Sequence, residues 1–243
     1  MRVLVVGGSG YVAGLVLPAL AERYEVRVLD PRPPIGDHDH DHVVGTANDP
    51  VMLAQAMQGV DVVVHAAMAG VGEGGFTDAA RAFDVNVSSV HLTLLAAHQA
   101  GVRHAVHISS LSVYQELTDR RLDESVPADA TDLYGLTKRL AEQVCAAAVT
   151  QWGMSVTVLR LAWPTTEEAW PAWALPGGEP VVNRSADGTL IAATAAGDLS
   201  RALLAALEYR QGFEVFHITG DDSGLHWNPA KARDRLQWWP LRR

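Results

Sequence analysis

One cysteine, Cys145, stands in 243 residues, so no internal disulfide can form and a disulfide-stapled scaffold is excluded. It falls inside an apolar helical pattern, where a lone thiol reads as core packing. No run approaches the about 18 uninterrupted apolar residues of a membrane-spanning helix. The chain opens directly on a strand pattern, without a charged leader and apolar stretch. A soluble, cytoplasmic protein is therefore expected. Basic residues are the minority, 19 against 28 acidic, for a formal net charge of −9. That balance disfavours nonspecific nucleic-acid binding, because phosphates require a basic surface. No internal repeat is visible. What is present, 48% hydrophobic and 19% charged residues, is ordinary for a globular chain with a sizeable core. The length fits one large domain, or one with a small appendage.

Short apolar runs alternate with helical patterns. Strands are expected at Val3–Val6, Val26–Asp30, Val43–Gly45, Val60–Ala66, Val102–Ser109 and Val156–Leu161. Helices are expected at Tyr11–Arg23, from Pro50 behind an Asp49 cap to Gln58, as one long element over Ala79–Ala100, and at Leu133–Gln151. Gly70–Gly75 reads as a mobile glycine-rich loop. Such alternation predicts an α/β, Rossmann-like doubly wound parallel sheet. After Leu161 the pattern breaks. Trp163, Trp170 and Trp173 sit among Pro164, Pro171, Pro176 and Pro180, as in a lid. A helix at Asp198–Tyr209, a strand at Val215–Ile218 and a short helix at Lys231–Leu236 follow. The expected division is a dinucleotide-binding domain over 1–161 and a small substrate-binding part over 162–243, some elements of which can rejoin the sheet.

Two motifs carry chemistry. Gly7 and Gly10 follow the first strand, with Ala13 at the third glycine position. Gly7 makes the tight turn, Gly10 admits a pyrophosphate, and the N-terminus of the helix at Tyr11 and Val12 offers free N–H groups. Asp30 ends the second strand, 20 residues after Gly10, where a carboxylate takes ribose hydroxyls and repels a 2′-phosphate. NAD is therefore the expected cofactor; Arg32, two residues on, keeps NADP open. The second motif is Tyr134-Gly135-Leu136-Thr137-Lys138. Spacing of four stacks phenol and ammonium on one helix face, where the ammonium is expected to lower the phenol pKa. Such a phenol can exchange the proton of an alcohol–ketone interconversion, and a serine hydroxyl, Ser110, can hold the same substrate oxygen.

These stretches resemble the short-chain dehydrogenases/reductases of the extended kind, the NAD-dependent epimerases and dehydratases. Those that carry the likeness are Val6–Ala13, Asp61–Ala67, Asn86, Ile108–Tyr114, and Tyr134–Lys138 with Glu142 following. The resemblance implies Ser110, Tyr134 and Lys138 as the catalytic set, with Ser109 and Ser112 as neighbouring alternatives for the serine. It implies that His65, Ala66 and Ala67 pass beneath the nicotinamide ribose, and that Asn86 stabilises the sheet edge near the cofactor. Thr46 stands where the family has an aspartate near the adenine. His217–Gly220 and Trp227–Pro240 are similar to the C-terminal end of uronate dehydrogenases.

The expected reaction is reversible hydride transfer at a secondary alcohol or ketone of a small, sugar-derived substrate. A 4,6-dehydratase would carry an acidic pair where Leu111-Ser112 stands. A nucleotide-sugar epimerase would carry a larger C-terminal region, and a non-catalytic NAD(P) sensor would have lost Tyr134 or Lys138. A uronate substrate would need a cation, for which Arg184 is the candidate. His38-Asp39-His40-Asp41-His42 suggests a metal site at first glance; it lies past Asp30, away from the serine and tyrosine, and no metal is expected. His65 reads as a core histidine. The tryptophans of 163–173 either stack on a sugar or cover the core. A small-molecule partner and a homodimer through the two long helices are expected, with no nucleic-acid or membrane partner.

Overall fold

The computed structural model describes residues 1–34, 40–69, 78–117, 120–174 and 177–241. The Gly70–Gly75 loop and the His38-Asp39 part of the histidine run lie outside the described residues. The first half of the chain builds β1 (Arg2–Val6), α1 (Tyr11–Ala21), β2 (Glu25–Asp30), β3 (Asp41–Val44), α2 (Pro50–Ala56) and β4 (Val62–His65). Then come α3 (Ala79–Phe83), a π-helical turn over Asp84–Ser88, α4 (Ser89–Gln99), β5 (His104–Ser110), a 3₁₀ turn over Leu111–Val113, α5 (Leu133–Trp152) and β6 (Ser155–Leu161). The rest holds β7 (Pro164–Thr165), β8 (Asn183–Arg184), β9 (Leu190–Ile191), β10 (Thr194–Ala195), α6 (Ala196–Glu208), β11 (Phe213–Ile218) and α7 (Ala230–Leu236).

Seven strands form one parallel sheet in the order β11-β6-β5-β4-β1-β2-β3. This is the expected doubly wound α/β architecture, with its strand order reversing between β1 and β4. Ligands of such sheets bind outside the carboxyl ends of the strands at that reversal. Apolar runs fit strands buried on both faces. Val62, Val64, Val106, Leu159 and Phe216 pack beneath α1 and α6. Val63, Ala105, Val156, Val158 and Cys145 pack on the α2, α4 and α5 side. No helix among the described residues is long and apolar enough to cross a membrane.

Three elements differ from expectation. The third strand begins two residues early, at Asp41, whose side chain takes the Arg27 guanidinium of β2 at 2.7 Å. The long helix is broken by the π-helical turn that carries Asn86, a feature often found at functional sites. The segment after Leu161 is not wholly irregular. It makes a parallel pair, β7 with β10, and an antiparallel hairpin, β8 with β9, before β11 adds to the main sheet beside β6.

Candidate active site

The glycine turn is shaped by contact with its neighbour strand. Gly7 has φ +81°, and a Cβ there would lie 2.4 Å from the Ala67 backbone. Only glycine lets the β1 turn lie against Ala66 and Ala67 as they leave β4. Gly10 caps α1 without a side-chain hydrogen bond, so the helix opens on free N–H groups. Tyr11 and Val12 begin that helix, and the Tyr11 hydroxyl is hydrogen-bonded to Thr165. Asp30 is buried at the end of β2. Its Oδ2 accepts the Ser9 N–H at 3.2 Å and its Oδ1 the Arg32 N–H at 3.0 Å, with Arg32 Nε 3.7 Å away. Ser9 Oγ donates to the Arg32 carbonyl at 2.6 Å. The carboxylate is thus fixed beside the glycine turn. Thr46 Oγ1 takes the Asn48 N–H, and Asp49 caps α2 through the Val51 and Met52 N–H groups.

A chain of contacts joins this turn to α5. Asn86 is buried; its Oδ1 accepts the Ala69 N–H at 2.9 Å and its Nδ2 donates to Thr137 Oγ1 at 3.0 Å. Thr137 Oγ1 donates to the Tyr134 carbonyl at 2.9 Å. The loop leaving β4 and the first turn of α5 are therefore fastened through one amide. Sequence resemblance placed Asn86 near a sheet edge; its observed role is this cross-link.

Asp132 caps α5 by accepting the Gly135 N–H at 3.0 Å. A Cβ at Gly135 would lie 2.3 Å from the Ser112 carbonyl oxygen, so this glycine lets the helix start dock on the turn after β5. Docking brings Tyr134 to Ser110, and the two side chains share a hydrogen bond. Ser110 Oγ also accepts the Ser112 N–H at 3.1 Å. Ser109 points into the core, where its hydroxyl donates to Glu142 at 2.6 Å. Of the three serines, Ser110 is the one that meets the phenol.

Lys138 lies one turn along α5, almost fully buried. Its ammonium donates to the Ile108 carbonyl at 3.0 Å and sits 5.9 Å from the Tyr134 ring centroid. Here the sequence expectation needs correction. The phenol pKa is not lowered: burial and then the Asp132 carboxylate raise it, against the pull of the Ser110 hydrogen bond. Burial instead pushes the Lys138 ammonium down to about 8, with Glu142 acting in the opposite direction.

His65 is the core histidine expected. Its Nε2 meets Ser89 Oγ at 2.8 Å, Ser89 donates onward to the Val85 carbonyl, and the ring lies 5.3 Å from that of His107. Burial, then the Lys138 charge, push it down to about 3, so it stays neutral. Among the described residues no histidine, cysteine and carboxylate cluster could hold a metal, and His42 Nε2 is hydrogen-bonded to the Asp30 carbonyl. Leu111 is fully buried with Tyr114 and Trp227. Trp163 packs edge-on to Trp227 at 5.6 Å and covers that cluster. Arg184 is exposed and donates across its own hairpin to the Gly188 carbonyl.

Sequence reasoning missed a polar group beneath the site: Ser109, Glu142, Arg160, Tyr114 and His217, joined by short hydrogen bonds. Its available signal was an arginine inside an apolar strand, which must be paired when buried.

The NAD dependent epimerase/dehydratase family model matches residues 3–166. The 3-beta-hydroxysteroid dehydrogenase of Mycolicibacterium neoaurum is 34% identical over 171 residues, 65% of this chain and 46% of that protein. The matched segment thus spans under half of this relative. Among solved structures, a short-chain dehydrogenase/reductase superfamily protein from Agrobacterium tumefaciens with bound NAD superposes with TM-score 0.82 at 23% identity, covering 99% of this chain and 92% of that one. A mutated uronate dehydrogenase superposes with TM-score 0.80 at 20% identity, covering 99% and 81%.

Proposed function

The chain belongs to the NAD-dependent epimerase/dehydratase family, and from that premise we propose that it is an NAD-dependent oxidoreductase acting at a secondary alcohol or ketone of a small, sugar-derived substrate. The observation that carries this reading is the Ser110–Tyr134 hydrogen bond at the end of β5, with Lys138 one helical turn behind it.

The cofactor fits the residues present. The uncapped start of α1 suits a pyrophosphate, Asp30 suits a ribose diol, and Lys138 is placed to serve the nicotinamide ribose. Bound NAD supplies the hydride acceptor or donor. Ser110 orients the substrate oxygen. Tyr134 takes its proton during oxidation and returns it during reduction. Because the phenol is raised and oxidation needs the phenolate, oxidation speeds up as pH rises above neutrality, while ketone reduction proceeds with the phenol already protonated. The buried Leu111, at the place of a dehydratase acid, supports simple hydride transfer over elimination. Epimerisation, a transient oxidation and re-reduction by the same groups, is the alternative outcome. We extend the proposal to a cytoplasmic homodimer paired through α4 and α5, which light scattering tests.

Tyr134→Phe is expected to lower turnover by about 10²–10⁴ while NAD affinity is kept. Lys138→Met is expected to damage both. The assay is NADH fluorescence, on the sugar or sugar acid that a screen selects, alongside NAD titration by tryptophan quenching. Near-normal turnover in Tyr134→Phe would overturn the mechanism. The same titration with NADP should give weaker binding, because the Asp30 carboxylate repels a 2′-phosphate; tighter NADP binding would transfer the selectivity to Arg32.

A further inference from the structure

The chain leaving β6 takes a strained path. Trp163 has φ +42°, in the left-handed region that a bulky side chain rarely adopts. Pro164 follows, and a proline drives the residue before it towards extended backbone. Two local preferences therefore oppose the conformation observed. It persists because both flanks are held. The Ala162 N–H donates to the Ile218 carbonyl at 3.0 Å, and the Ala162 carbonyl accepts Thr194 Oγ1 at 2.6 Å. The Trp163 carbonyl accepts the Thr194 N–H at 3.0 Å, and Pro164 and Thr165 pair with Thr194 and Ala195. Backbone strain over-determined in this way collects at ligand sites.

The strained residue stands beside the proposed chemistry. Leu161, two residues back, is the register partner of Ser110. The Trp163 ring is edge-on to Trp227 at 5.6 Å and packs on the cluster that contains Leu111, the neighbour of Ser110. Trp227 is fully buried, whereas Trp163 is only half-buried. Part of the indole therefore stays open near the carboxyl ends of β5 and β6, where ligands of such sheets bind. A side chain needed only to roof the cluster could do so from relaxed backbone; the twist at Trp163 fixes where the ring is carried.

We propose that Trp163 is a substrate-binding residue whose open indole face stacks on the ring of a sugar held by Ser110 and Tyr134. The proposal rests on the reading of the chain as an oxidoreductase of sugar-derived alcohols. A pyranose offers a face of C–H groups to an aromatic ring while its hydroxyls keep their hydrogen bonds. The contacts of Ser110 and Tyr134 fix only the reacting oxygen. Stacking fixes the plane of the ring as well, and hydride transfer requires that orientation.

Strain is tested by stability. Trp163→Gly and Trp163→Ala both remove the indole, and only alanine keeps a Cβ at the left-handed position. Trp163→Gly is expected to melt about 2–4 °C above Trp163→Ala; an equal or lower Tm overturns the proposal. Stacking is tested by NADH fluorescence with D-glucose, D-galactose, D-glucuronate and D-galacturonate. Trp163→Leu keeps an apolar roof without an aromatic face. Its KM for the sugar that wild type oxidises is expected to rise about tenfold, with NAD affinity kept, and Trp163→Phe is expected to bring KM back to within about threefold of wild type. Should Trp163→Leu not fold, Trp163→Gly takes its place in the assay. An unchanged KM overturns the proposal and leaves the oxidoreductase reading standing, as does a loss of NAD affinity that matches the rise in KM. Oxidation of none of the four sugars by wild-type protein that binds NAD counts against the sugar reading and takes the proposal with it.

Discussion

The two faces of the parallel sheet are built from the same strands and differ in what they bury. Under α1 and α6, the inward side chains of β4, β5, β6 and β11 stay apolar to the C-terminal end: Val62 and Val64, Val106 and Ile108, Leu159 and Leu161, Phe216 and Ile218. Under α4 and α5 the same strands start apolar, with Val63, Ala105, Val156, Val158 and Val215. They then end on His65, His107, Ser109, Arg160 and His217, all buried. One face is apolar but for His104 and Thr157 near the starts of β5 and β6, which are bonded to the Ala206 and Tyr209 carbonyls. The other becomes a charged and hydrogen-bonded interior just below Tyr134 and Lys138. A buried polar group costs stability unless it is paired, so that second face sacrifices some cohesion for a fixed arrangement of charge near the proposed chemistry.

The largest expected effect sets neighbours on opposite faces against each other. Arg160→Ala leaves the Glu142 carboxylate buried without its cation and should cost about 3–5 kcal/mol. An uncompensated carboxylate takes up a proton as pH falls, so the deficit should be larger at pH 8 than at pH 5. Leu159→Ala opens a cavity instead and should cost about 2–5 kcal/mol at both pH values. Urea melts at the two pH values make the comparison; equal, pH-independent losses would erase the contrast between the faces.

A smaller effect concerns the buried histidines. Burial first of all lowers His65 and His217 from 6.5 to about 3, and His107 well below 6.5. Their folded forms refuse a proton that the unfolded chain accepts below about 6.5. Their contribution is therefore complete above that value and is lost as pH falls towards 3. Neither ring nitrogen of His107 has a hydrogen-bond partner, so His107→Leu strands no polar group. It should flatten the acid side of a Tm-against-pH curve. A curve as steep as wild type would mean that His107 charges freely in the fold.

The smallest expected effect is at Ser89, which holds His65 Nε2. Ser89→Ala should cost about 1 kcal/mol, measured by thermal melting at pH 7. A loss several times larger would show that the π-helical turn, which Ser89 also ties through Val85, depends on the same hydroxyl.

Much of this was legible in the chain because it is local. The glycine turn, the Asp49 cap, most of the apolar strands and the spacing of Tyr134 and Lys138 are short-range patterns that sit where they were expected, while the early start of β3 and the Asp132 cap of α5 were not read. The choice of Ser110 was legible only by resemblance. Period-two alternation separates Ser109 from Ser110, but which face meets α5 depends on how the helix docks at Gly135. The π-helical turn had no readable signal, since Asp84–Ser88 carries an ordinary helical composition.

The sequence by itself determined the doubly wound sheet, the place of the dinucleotide turn and the pairing of phenol and lysine on one helix face. Helical and strand periods, together with the conformational demands of glycine, act over a few residues and leave a direct imprint. Tertiary structure alone decided which direction the Lys138 ammonium takes, that burial raises the Tyr134 phenol, and that Ser109, Arg160, His217 and Glu142 converge from four elements. Those outcomes depend on desolvation and on contacts between residues up to about a hundred positions apart, such as Tyr114 with His217. Strand order brings such residues together, and no local period encodes it.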